Sequence, residues 1–169
     1  MENEIRNYMT TGNFSLSIGD ISGIIQAVGV VVSLIYVALQ VRASTKAIKG
    51  ATYQSIISVY AEIEARISQD SEAARIYRLG CDEPEALEKD EALRFRELVC
   101  SIFNFYENLH YQYKNNLLDE VLWEGWSNYL KIKLEYPGVA KYWETNGKLY
   151  SKDFREYVKR KCLRPENKV

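Results

Sequence analysis

Residues 21–41 read ISGIIQAVGVVVSLIYVALQV, an uncharged and mostly apolar run closed by Asp20 on one side and Arg42 on the other. As an α-helix at about 1.5 Å per residue the run is roughly 30 Å long, the thickness of a bilayer's hydrocarbon core. It reads as a single membrane-spanning helix over residues 20–42. A cleaved signal peptide has a basic start and a shorter apolar core, whereas the region before this run holds Glu2, Glu4 and Asp20 against Arg6. An uncharged run of this length is also rare in the core of a soluble protein. After it come Arg42, Lys46 and Lys49, with no acidic residue until Glu62. The positive-inside bias therefore puts the C-terminal side in the cytoplasm and the N-terminal tail, residues 1–19, outside.

The run has two unlike faces. Ser22, Gln26, Gly29, Ser33, Tyr36 and Gln40 step by four, three, four, three and four, so they share one side of a helix. Ile24, Val28, Val31, Ile35 and Leu39 follow the same rhythm about 200° further round. Small side chains let helix backbones approach and amides in hydrocarbon need partners, which makes the first stripe a packing face and the second a lipid face. Each interhelical hydrogen bond adds about 0.6–2 kcal/mol, repeated in every subunit of a symmetric bundle. With one span to offer, the chain packs against another copy or another protein, and closed homo-oligomers are the common outcome. In a bundle of four or more, Gln26, Ser33 and Gln40 would ring a water-filled pore, with Arg42, Lys46 and Lys49 at its cytoplasmic mouth. A dry bundle uses the same residues.

Beyond the run the helical pattern does not stop. Ile48, Tyr53, Ile56, Ile57, Tyr60, Ile63 and Ile67 continue at helical spacing, with Gly50 the one weak point, so the span and the first helix of the domain form one rod. The small and polar stripe continues too, as Ala43, Ala47, Gln54, Ser58, Ala61 and Ala65. Asp20 is the expected cap of this rod and Ser71 of a short helix that ends at Leu79, with Gly80 in the left-handed C-cap position. A loop with Pro84 leads to a long helix over about 90–115, whose core face is Phe95, Leu98, Val99, Ile102, Tyr106, Leu109 and Tyr113. Asp119 caps the next helix, which runs to Leu134 and is ended by Pro137 and Gly138. Two shorter helices follow, over about 139–144 and 154–162, the second capped by Ser151. No stretch alternates as a strand does. The expected fold is all-α: an N-terminal transmembrane helix continuing into a cytoplasmic domain, residues 43–165, of about five helices.

The 169 residues balance 22 basic against 23 acidic side chains. In the domain the two signs are interspersed, so no basic face points to nucleic acid. Cys81, Cys100 and Cys162 are widely spaced and odd in number, which suggests neither a disulfide framework nor a zinc site and fits a reducing compartment. His110 is the single histidine, and Glu107 three residues before it makes one Glu-x-x-His. Di-iron helical bundles use that spacing twice, so a metal centre here would need a dimer sharing Glu62 or Glu64. The simpler reading sets His110 on the core face beside Tyr106 and Tyr113, bonded to Glu107 or a tyrosine hydroxyl. Trp123, Trp126, Tyr129, Tyr142 and Trp143 read as core rather than as an aromatic ligand pocket. Lys159, Arg160 and Lys161 read as a solvated helix end.

The stretch Leu34-Ile-Tyr-Val-Ala-Leu-Gln-Val-Arg42, with Tyr53-Gln54 and Leu122-Trp-Glu-Gly-Trp126, resembles a family of uncharacterised bacterial single-span membrane proteins with a small cytoplasmic helical domain. The resemblance implies the bacterial inner membrane and brings no catalytic residue with it. The expectation is thus a membrane-anchored homo-oligomer, its span the assembly face and its domain an interaction or regulatory module. Its partners are the lipid bilayer, itself and an unidentified protein. No cofactor, metal or enzymatic activity is expected. An oligomeric pore is the second reading and a membrane-tethered metal enzyme the third.

Overall fold

The computed structural model describes residues 18–163, and all regular structure among them is helical. The chain divides into two compact units, Met1–Lys46 and Ala47–Val169. The first helix, α1 (Ile18–Ser68), contributes to both and runs through Gly50 without a break. Asp20 is therefore inside α1 rather than at its cap. Residues 18 and 19 are already helical, while the rest of the expected tail, and residues 164 and 165 of the expected domain, lie outside the described residues.

In the first unit every residue from 21 to 46 is exposed, large apolar ones included: Ile25 is 66% exposed and Leu34 64%. This part of α1 is long and apolar enough to cross a membrane.

The second unit assembles the rest of α1 with five further helices. They are α2 (Ser71–Asp82), α3 (Lys89–Lys114), α4 (Glu120–Glu135), α5 (Pro137–Asn146) and α6 (Lys152–Tyr157), the last followed by a π turn at Val158–Cys162. Local chemistry sets their ends. Asp70, one residue before the expected Ser71, caps α2 by accepting from the Glu72 amide at 3.0 Å. Glu88 and Glu91 close a capping box on α3, and Arg75 of α2 bonds both Glu72 and Glu91. Asn116 turns the chain after α3 with φ 59°, a left-handed geometry that asparagine tolerates better than most residues. Pro137 opens α5 at its first turn, where a missing N–H costs nothing, and Gly138 lies inside that helix.

Gly80 is not a C-cap. It is buried inside α2, which continues to Asp82, and among the described glycines none has positive φ. Its small size serves packing instead. A Cβ at Gly80 would overlap the Phe95 ring of α3, and one at Gly138 of α5 would overlap the Gly80 carbonyl. Helices α2 and α5 thus approach through two glycines.

Helix α3 is the centre of the core, packed against α2, α4 and α5. Phe95, Val99, Ile102, Tyr106 and Leu109 of its expected core face are buried, and Leu98 and Tyr113 half-buried. Phe103 and Phe105 are buried too, and His110 as expected, which together widen that face. A helix enclosed on several sides buries more than one stripe. Burial of side chains as large as Phe103 and Leu109 stabilises by roughly 1.5–3 kcal/mol each.

Candidate functional site

Ser22, Gln26, Gly29, Ser33, Tyr36 and Gln40 are all exposed, and no other element of their unit covers them. A Cβ at Gly29 would meet nothing within 4 Å, so no contact inside the chain requires glycine there. The Ser33 hydroxyl donates to the Gly29 carbonyl at 2.8 Å, and that of Thr45 to the Val41 carbonyl at 2.9 Å. Both bonds return to α1 itself, which shields the hydroxyl protons without a partner helix. At the basic end Arg42 and Lys46 are exposed. Lys49 is drawn to the domain, where its ammonium pairs with Asp119 at 2.6 Å. That pairing engages the Asp119 carboxylate, which makes no capping hydrogen bond to α4.

The aromatic residues of the domain gather around its three tryptophans, and Phe154 links the group of Trp123 and His110 to that of Trp143. Trp123 joins His110, Tyr113 and Tyr157; Trp126 joins Tyr60, Phe105 and Tyr129; Tyr142 and Trp143 stack on Phe103, and Trp143 also on Tyr150. They form core rather than one pocket, except that Trp126 is half-buried and Tyr129, expected in the core, is 55% exposed at the end of its ring contact with Trp126.

The His110 ring is buried on the core face as expected, and its aromatic neighbours are Trp123, Phe154 and Tyr157, with centroids 5.5, 5.8 and 5.1 Å away. Its burial, and then the Lys114 cation, hold its pKa below the ordinary histidine value. Glu107 serves another group: its carboxylate accepts from the Ser151 amide at 2.6 Å and ties α3 to the start of α6. The Ser151 hydroxyl makes no cap bond. Among the described residues no three His, Cys, Asp or Glu side chains converge as metal ligands would.

Several open clefts indent the domain, two of them lined by apolar residues of α1. The larger, about 700 Å³, lies between α1 and α3 on a floor that includes Ile56, Ile63 and Phe105. The smaller, about 360 Å³, is bounded by four helices: α1 gives Tyr60, Ile63, Glu64, Ile67 and Ser68, α2 Tyr77, α3 Ile102 and α4 Lys133. Lys133 Nζ donates to Tyr77 Oη at 3.0 Å. Burial pushes the Tyr77 phenol well above its usual range and the Cys81 thiol beside it upward as well. The Tyr60 phenol is pushed up to about 12, by burial first and then by the neighbouring Glu64 carboxylate. These phenols stay neutral at physiological pH. The cleft can hold a ligand by hydrogen bonds and charge, but none of its shifted groups is an activated nucleophile.

The sequence carried one unread signal for this cleft. Lys133 follows the buried Leu130 by three residues and precedes the buried Leu134, so it stands at the edge of the core stripe of α4. No local pattern announces Glu64 or Tyr77, which meet Lys133 only through tertiary packing.

No family model, curated protein or solved structure matches the chain.

Proposed function

We propose that the chain is a single-span protein of the bacterial inner membrane, its N-terminus outside, whose span self-associates and whose helical domain acts in the cytoplasm as an interaction or regulatory module. The observation that carries this reading is the uncovered apolar length of α1: the span window contains no buried residue. Apolar side chains left in water forgo about 25 cal/mol per Å², and hydrocarbon accepts a helix because its backbone bonds are satisfied internally. The excess of Arg42, Lys46 and Lys49 over acidic residues on one side supports the orientation.

Self-association is supported by the stripe that includes Gly29. Glycine inside a helix costs roughly 1 kcal/mol relative to alanine. Nothing in the chain uses the space at Gly29, whereas a second helix approaching that face would. Most of the stripe's continuation supports an extension of such a contact, although Ala65 is half-buried. Ala47, Gln54, Ser58 and Ala61 are exposed, while Ile56 and Ile63 of the same helix are buried in the core on the far side. A dry bundle is favoured over a pore, because the Ser33 hydroxyl proton is committed to the Gly29 carbonyl and no Asp, Glu, Lys or Arg lies between Asp20 and Arg42.

The test is native mass spectrometry of the full chain in detergent, beside Gly29→Leu and Val31→Leu. Wild type and Val31→Leu are expected as one oligomer and Gly29→Leu as monomer. A wild type that stays monomeric at low detergent-to-protein ratio overturns self-association, and failure of the expressed chain to sediment with membranes overturns the anchor.

A further inference from the structure

Glu64 on α1 and Lys133 on α4 line the same cleft, and among the described residues neither is in an ion pair. Lys133 is half-buried. Its ammonium spends one donor on the neutral Tyr77 oxygen, which leaves two and no counter-charge. A partly desolvated cation without an anion is costly unless a ligand supplies one. Glu64 presents its carboxylate on the opposite wall, exposed and close enough to Tyr60 to act on its phenol. Between them the floor is aliphatic: Ile63 and Ile102 are buried and Ile67 half-buried.

We propose that this cleft binds a small zwitterion with an aliphatic body, of the class of the branched-chain α-amino acids, its carboxylate on Lys133 and its ammonium on Glu64. A simple anion would sit against Glu64 and a simple amine against Lys133, so only a molecule carrying both charges satisfies both walls. The aliphatic side chain covers Ile63, Ile67 and Ile102. The volume, about 360 Å³, falls at the small end of the range for ligand sites, roughly 300–1,000 Å³. Sites between the helices of a bundle are a common place for such pockets. A further mark lies one turn along α3 from Ile102. The Tyr106 hydroxyl is fully buried with no partner, and Tyr60 and Glu64 are among the groups whose charge acts on it. Buried polar groups are nearly always bonded, and this hydroxyl has no partner among the described residues.

The experiment is isothermal titration calorimetry on the full chain in nanodiscs with L-leucine, 4-methylpentanoate, which lacks the ammonium, and isoamylamine, which lacks the carboxylate. Leucine should bind saturably, and both analogues at least roughly tenfold more weakly. Glu64→Gln and Lys133→Met should each weaken leucine by a similar factor with the helical circular dichroism unchanged. Lys133→Met also removes the bond to Tyr77, so the exposed Glu64→Gln is the variant that tests recognition apart from folding. The proposal is overturned by a folded wild type with no saturable leucine heat, by analogues that bind as well as leucine, or by undiminished binding in Glu64→Gln. None of these readings depends on whether the span self-associates.

Discussion

The carbonyl oxygen of Gly80 occupies the place a side chain on Gly138 would take, so α2 and α5 cross with only backbone between them. Gly138→Ala must push the helices apart or displace Phe95, whose ring lies on the other side of the same contact. The expected loss is about 3 kcal/mol, the upper end for an overpacked core. Gly125→Ala is the matched control. It meets nothing within 4 Å in the middle of α4 and should gain about 0.5–1 kcal/mol from helix propensity. Thermal unfolding of both variants of the full chain in detergent, followed by circular dichroism, checks the two signs together. Equal midpoints would show that α2 and α5 yield freely at this crossing.

Glu107 reaches from α3 to the backbone amide of Ser151 at the start of α6. Hydrogen bonds to a charged acceptor contribute about 1.5–3 kcal/mol when buried, and this exposed one should contribute about 1 kcal/mol. Glu107→Ala is expected to lower stability by that amount. It should also raise amide exchange selectively in α6 and the π turn after it, because Glu107 is a tether between the last helix and the centre of the domain. Exchange that rises uniformly, or not at all, would remove the tether from the account.

How much of this was legible beforehand follows from the range of each interaction. The all-α class, the single rod through Gly50 and the five helices after it follow from periodicity and end signals spread over many residues, and the structure has them. Gly80 reads as a C-cap because glycine after an apolar stretch is the usual helix stop, and the residue that requires it, Gly138, lies nearly sixty residues away in sequence. Glu107 and His110 were read as a pair because they neighbour each other on α3. The folded chain offers each a better distant partner, the Ser151 amide for one and the Trp123, Phe154 and Tyr157 rings for the other. The stripe from Ser22 to Gln40 was legible as a pattern because it lives on one helix. The cleft between Glu64 and Lys133 was not, because its walls come from four.

Tyr106 is wholly buried and its hydroxyl bonds to nothing among the described residues. A buried donor without a partner costs about 1–3 kcal/mol, so Tyr106→Phe should leave stability unchanged or raise it by about 1 kcal/mol, since the ring stays and the cost goes. Thermal midpoints in detergent, without and with leucine, measure it. A drop of about 1 kcal/mol or more without leucine would reveal a trapped water as the hydroxyl's partner.

His110 gives the domain a defined response to acid. Its ring is held below the ordinary pKa of about 6.5, chiefly by burial and then by Lys114, while Asp153 and Glu107 pull less strongly the other way. The unfolded chain therefore takes up this proton at higher pH than the folded chain does. The contribution of the neutral ring is complete above about pH 6.5 and is lost as pH falls through the folded value, because there the unfolded state binds more protons. His110→Phe keeps an aromatic ring among Trp123, Phe154 and Tyr157 and removes the proton site. Its stability should fall less steeply than that of the wild type between about pH 7 and pH 5. Thermal midpoints across that range give both slopes. Parallel curves would assign the acid response to carboxylates such as Glu107 and Asp153, and a steeper curve in the variant would mean that the folded ring holds its proton rather than refusing it.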